Sequence, residues 1–176
     1  GERVLITGAS GGVGTAAVQI AARAGAKVFA VTSGPRKVGL AQELGADVVY
    51  DRLSVDFSRE VWRDTGKRGV DLIFDTIGEA VWSNCLRALS PGGRLVTSGA
   101  TTGSHGVTEI RLVFWKQLSI LGSTMGSPAE YRHVMRLVFA GRLKPVIHEV
   151  LPLAETRRAH EILESGQTFG KLVITP

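Results

Sequence analysis

A single cysteine, Cys85, stands among 176 residues. It excludes an internal disulfide, which fits a reducing cytoplasm, and alone it cannot build a zinc site. It lies in a stretch with helical periodicity, where a packing role is expected. Aromatic residues make up only 6% of the chain. The basic residues are in excess, giving a net charge of +5, but they are scattered: Arg3, Arg23, Arg36, Lys37, Arg63, Lys67, Arg68, Arg157 and Arg158. With no long basic run and little aromatic interleaving, nucleic acid is not the expected ligand. No apolar run approaches the roughly 20 residues that span a membrane. No charged segment followed by an apolar stretch marks a secretion signal. None of the four histidines stands beside metal-ligand partners at useful spacing, so no metal is assigned to this chain.

What is abundant is glycine, 22 residues, and apolar side chains, 44% of the total. That is enough for one good core, or for one domain with an appendage. The glycines sit at the joints of an alternating pattern. Strands are expected at 3–7, 27–32, 47–50, 71–75 and 94–98, and helices at 13–24, 35–44, 58–65 and 79–89. Gly25, Gly45 and Gly66 each stop a helix, and Pro91-Gly92-Gly93 closes the fourth. Strands alternating with helices through short connections predict an α/β fold, a Rossmann-type doubly wound parallel sheet of about six strands. After Gly99 the rhythm changes. Residues 100–108 read as a loop, 118–121 as a sixth strand and 128–140 as a helix. A C-terminal strand-helix-strand segment follows, with strand 144–151, helix 154–164 and strand 171–174.

The turn Gly8-Ala9-Ser10-Gly11-Gly12-Val13-Gly14 lies directly behind the first strand and opens into the first helix. Small residues there let backbone N–H groups approach a pyrophosphate, and the helix N-terminus adds roughly half a positive charge. The strict G-x-G-x-x-G pattern is broken by Ala9; the working register is Ala9-x-Gly11-x-x-Gly14. The same residues also read G-x-S-x-G, the nucleophile elbow of α/β-hydrolases. That alternative makes Ser10 a nucleophile, with Asp75 and one of His105, His133, His148 or His160 completing a triad. Such an elbow usually follows several strands, whereas here it follows the first, so dinucleotide binding is the preferred reading.

An acid at the end of the second strand would accept hydrogen bonds from the ribose 2′-hydroxyl of NAD. This strand ends Val31-Thr32-Ser33-Gly34, without an acid, and Arg36 and Lys37 follow. A 2′-phosphate is drawn to such cations, so NADP(H) is favoured over NAD(H).

Several segments in order carry a family resemblance. They are Gly8 to Gly14 with Ala17-Val18-Gln19-Ile20-Ala21, Glu43-Leu44-Gly45-Ala46-Asp47, Phe74-Asp75-Thr76-Ile77-Gly78, Pro91-Gly92-Gly93-Arg94-Leu95-Val96, Leu118 to Ser123, and Gly170-Lys171-Leu172-Val173. Together the chain resembles the medium-chain dehydrogenase/reductase superfamily, most of all its zinc-type alcohol dehydrogenases and quinone oxidoreductases. The resemblance implies backbone contacts to the pyrophosphate from Ser10, Gly11, Gly12 and Val13. It implies a 2′-phosphate site at Ser33, Lys37 and Tyr50, beside Thr32 and Arg36. It places Thr76, Ile77 and Gly78 by the adenosine, and Ser98, Gly99 and Ala100 by the nicotinamide ribose. Leu121 and Ser123 fall near the carboxamide, and Lys171 reaches the pyrophosphate.

The resemblance divides the chain into a cofactor-binding domain, 1–142, and a segment, 143–176, that in relatives returns to a GroES-like catalytic domain. That domain, which holds the zinc ligands or the quinone pocket, has no counterpart in this sequence. The expectation is a chain that binds nicotinamide dinucleotide without turning over a small-molecule substrate by itself, any zinc belonging to the larger protein. A non-enzymatic NADP(H)-binding module is the competing reading. Relatives also pair their last sheet strand across a two-fold axis, which implies a homodimer through strand 118–121.

Overall fold

The computed structural model describes residues 1–176. Six parallel strands form one sheet: β1 (Arg3–Ile6), β2 (Lys27–Thr32), β3 (Val48–Asp51), β4 (Val70–Asp75), β5 (Leu89–Thr97) and β6 (Ser119–Gly122). Their order is β3-β2-β1-β4-β5-β6, so the winding reverses between β1 and β4. The connecting helices are α1 (Gly12–Arg23), α2 (Pro35–Glu43), α3 (Phe57–Asp64), α4 (Glu79–Ala88) and α5 (Ile110–Trp115). Beyond the sheet come α6 (Pro128–Phe139), β7 (Ile147–Pro152), α7 (Thr156–Glu164) and β8 (Lys171–Thr175). β7 and β8 pair in parallel as a second, two-stranded sheet.

The alternation of side chains along each strand sorts the core into two layers. Leu5, Phe29, Val31, Ile73 and Leu95 face one side, where they meet Val61 of α3 and Val81, Cys85 and Leu86 of α4. Val4, Ile6, Val28 and Ala30 face the other, against Val18 of α1. Leu5, Phe29 and Ile73 are fully buried, and each such side chain contributes about 1.5–3 kcal/mol. Cys85 is buried in the first layer as expected, and burial pushes its thiol well above the ordinary range.

Most element boundaries agree with the sequence reading to within two residues. Four differ in an instructive way. β5 starts at Leu89 rather than Arg94, because Leu89 pairs with Val70 before a register shift at Pro91-Gly92-Gly93. The glycine run is thus a bulge within the strand rather than a helix stop. α5 was not foreseen, since its six residues are too few to show a period. β7 begins three residues after 144 and keeps Pro152, which pairs with Thr175 at the strand end. A single 3-10 turn, Leu153–Glu155, precedes α7.

Charge and caps fix the ends. Asp56 accepts a hydrogen bond from the Ser58 amide at 2.9 Å, and Asn84 reaches the same oxygen at 3.1 Å, so this N-cap also joins α3 to α4. Arg3 donates to Asp71 at 2.5 and 3.0 Å, tying β1 to β4. Two outcomes are expected. Asp56→Ala lowers the unfolding free energy by about 1 kcal/mol, measured by denaturant titration. The Arg3 guanidinium holds the Asp71 carboxyl below the usual carboxylate range. Its contribution is complete above the unfolded value of about 3.9 and is lost as pH falls through the lower folded value. The difference in melting temperature between the native chain and Asp71→Asn therefore shrinks below about pH 4.

Candidate functional site

The site is built at the carboxyl ends of the parallel strands, where the winding reverses and a crevice opens. β1 runs into Thr7, and Gly8 then takes the left-handed conformation, φ 58°. The turn folds back on itself: Gly11 N–H donates to the Gly8 carbonyl at 2.9 Å, and Ala9 N–H donates to Val31 at 3.1 Å. A Cβ at Gly14 would overlap the Gly8 carbonyl, so α1 packs against the turn only because that residue is glycine. A Cβ at Gly12 would overlap the Lys171 side chain, which lies along the turn. Gly11 is the N-cap of α1, so no side chain caps the start of the helix at the crevice.

The neighbouring loop is organised by one carboxylate. Asp75, fully buried at the end of β4, accepts from the Thr7 hydroxyl at 2.6 Å and from the Ile77 and Gly78 amides, each at 3.1 Å. This sets Thr76, Ile77 and Gly78 beside the glycine turn. It also commits Asp75 to those three donors, not to a histidine.

Two cavities flank this pair of loops. One, of about 160 Å³, is lined by Thr7, Ser10, Thr32, Ser33, Arg52 and Ile77 among others. The Thr32 hydroxyl is buried without a hydrogen-bond partner, an orphaned polar atom beside an open space. The other, of about 450 Å³, is lined by Thr97, Ser98, Gly99, Ala100, Gly122 and Ser123 among others. The structure thus brings Ser10, Thr32, Ser33 and Ile77 together on one side. It brings Ser98, Gly99, Ala100 and Ser123 together on the other. Leu121 lies on the edge strand β6, 46% exposed.

Three expected phosphate ligands are placed differently. Tyr50 is buried, its ring stacked on Phe29 and its hydroxyl 3.0 Å from Asp64. Asp64 ends α3, which runs back along the sheet, so this hydroxyl points to the edge opposite the glycine turn. Burial and Asp64 together raise the phenol above its ordinary value. Lys37 is only 7% exposed, and its ammonium donates to the Gly166 carbonyl at 2.5 Å. Arg36 is exposed at the start of α2 and is not among the residues lining either cavity. Arg52, which the sequence reading passed over, lines the smaller cavity; its only sequence signal is a cation one residue past β3.

The C-terminal segment meets the site directly. Gly170 N–H donates to the Ser10 carbonyl at 2.7 Å, and Gly11 and Gly170 form a parallel bridge. Gln19 of α1 exchanges two hydrogen bonds of 2.9 Å with the Lys144 backbone.

Known proteins share this arrangement. Residues 12–140 match the family described as zinc-binding dehydrogenase. A mycocerosic acid synthase-like polyketide synthase of Mycobacterium tuberculosis is 32% identical across 99% of this chain, which corresponds to 9% of its own length. The quinone oxidoreductase of Sus scrofa is 35% identical, over 99% of this chain and 54% of its own. A crystal structure of an NAD-dependent alcohol dehydrogenase superposes with a TM-score of 0.93 at 39% identity, covering all of this chain and 51% of that one. The chain therefore spans about half, or much less, of the length of the relatives it matches. The glycine turn at the sheet's reversal, the Asp75-organised loop and these matches place the chain in the zinc-binding dehydrogenase family of the medium-chain dehydrogenase/reductase superfamily.

Proposed function

We propose that this chain is the nucleotide-binding part of an NADP(H)-dependent oxidoreductase of the quinone oxidoreductase or alcohol dehydrogenase type. The observation that carries the reading is the crevice itself. The start of α1, which has no side-chain cap, and the tightly folded glycine turn lie beside a buried, unpartnered Thr32 hydroxyl. These residues fit a dinucleotide. The turn from Ser10 to Val13 holds the pyrophosphate, with Lys171 alongside. The smaller cavity takes the adenosine, and Thr32 and Ser33 meet its ribose. The larger cavity, at Ser98, Gly99, Ala100 and Ser123, takes the nicotinamide end.

The bound nicotinamide supplies hydride transfer. The protein's part is to fix its orientation and keep water away from it. Hydride transfer also needs a substrate held over the ring. In this reading that contact is supplied from outside the matched region, and the chain alone binds cofactor without turnover. Strand β6 exposes Ile120 and Leu121 at an open sheet edge. A second copy pairing there would cover this edge.

Titration followed by nicotinamide fluorescence at low salt is expected to saturate with both NADPH and NADH, NADPH binding more tightly. Failure to bind either overturns the reading. Thr32→Val is expected to leave thermal stability equal or higher, because an unsatisfied buried hydroxyl costs about 1–3 kcal/mol. The same change weakens dinucleotide binding severalfold. Light scattering is expected to report a dimer that Leu121→Lys converts to a monomer, whereas a native monomer at high concentration removes the pairing.

A further inference from the structure

The smaller cavity contains one charged side chain, and it is not one of the residues that sequence pattern nominates. Val31, Ile77 and Val81 give it apolar walls, Thr7, Ser10, Thr32 and Ser33 give it hydroxyls, and Arg52 gives it charge. Arg52 is firmly placed. Its N–H donates to the Thr32 carbonyl at 3.0 Å, which fixes its backbone at the exit of β2. The neighbouring Asp51 carboxylate accepts from the Gly34 amide at 2.9 Å and the Leu53 amide at 3.0 Å, with Ser54 at 3.4 Å. Asp51 thereby pins the Ser33-Gly34 turn to the turn that carries Arg52. Its oxygens are occupied by these N–H and O–H donors, and the Arg52 guanidinium makes neither an ion pair nor a side-chain hydrogen bond. It is an exposed, unpartnered cation at the mouth of an otherwise uncharged cavity.

Lys37 and the Tyr50 phenol are engaged elsewhere, and Arg36, exposed at the start of α2, does not line the cavity. Lys37 is buried and bound to Gly166, and Tyr50 is bound to Asp64 at the far edge of the sheet. Burial, and then the positive field of Arg52, both lower the Lys37 ammonium. Arg52 is the charged residue that lines the cavity with Ser33, and its planar guanidinium fork matches a phosphate with two hydrogen bonds.

We propose that Arg52 is the residue that selects a 2′-phosphorylated dinucleotide in this chain, with Ser33 as its partner and Asp51 as the positioning residue. Lys37 acts chiefly as a tie to the C-terminal segment. This rests on the dinucleotide reading of the same site.

The test compares NADPH and NADH affinities of the chain and three variants by fluorescence titration. Arg52→Gln is expected to weaken NADPH binding about tenfold or more while NADH changes by less than about twofold, with unchanged melting temperature. Arg52→Lys restores part of the preference, since an ammonium keeps the charge without the fork. Lys37→Met lowers the melting temperature and speeds amide exchange around Gly166, yet keeps most of the preference. A native chain without NADPH preference overturns the 2′-phosphate reading and this assignment together. A native preference that survives Arg52→Gln, or that Lys37→Met abolishes, overturns the assignment to Arg52 alone.

Discussion

One buried carboxylate holds the functional edge of this protein together. Burying an ionised group is costly unless it is hydrogen-bonded, and Asp75 is fully enclosed. Its oxygens meet the Thr7 hydroxyl and two loop amides, which together replace the lost hydration. Thr7 is the residue on which the glycine turn begins, and Ile77 and Gly78 form the loop opposite. The bond at 2.6 Å therefore carries the pairing of β1 and β4, the two strands at which the winding reverses, on into the loops that leave them. The smaller cavity lies between the parts this bond joins. This side-chain contact bridges 68 positions of sequence.

The two-layer core explains how so weak a glycine motif builds a full site. Ala9, where the strict pattern wants glycine, is fully buried with Ile6, Val18 and Ala30 in the layer beneath α1. Its methyl packs inward and takes no room from a ligand. Gly14 is the position that tolerates no side chain, because α1 crosses the turn there. The pattern's tolerance and its strictness thus have separate causes, one in the core and one in the helix–turn approach.

Much of the sheet was legible because each element carries its own signal. Apolar strands, amphipathic helices and glycine stops are local, and they specify the same alternation from Arg3 to Gly122. Ser10, Thr32 and Ser33 could be placed in the same way, at or just beyond strands whose ends are marked, whereas Ser98 and Ser123 were placed by the family resemblance. What escaped depends on distant partners. The direction of Tyr50 is decided by Asp64 on a helix that returns across the sheet. Lys37 is drawn to Gly166, 129 residues away. Arg52 stands in a short loop with no period to announce it, and its aim is set by Thr32 and Asp51. Helix α5 buries none of its residues, so no core pattern betrays it.

The hydrogen bond from Gly170 to Ser10, with the side-chain links of Gln19 to Lys144 and Lys37 to Gly166, gives the crevice a history as well as a shape. A ribosome releases the glycine turn among the first residues of this stretch and Gly170 among its last. The Rossmann strands can pair while synthesis continues, since domains generally form as their residues emerge. The covering of the turn cannot. Until β8 has left the ribosome, Ser10 keeps an unclaimed carbonyl and Lys37 an unclaimed proton donor. The covering of the glycine turn is therefore completed only once β8 has emerged, although the turn itself is made much earlier.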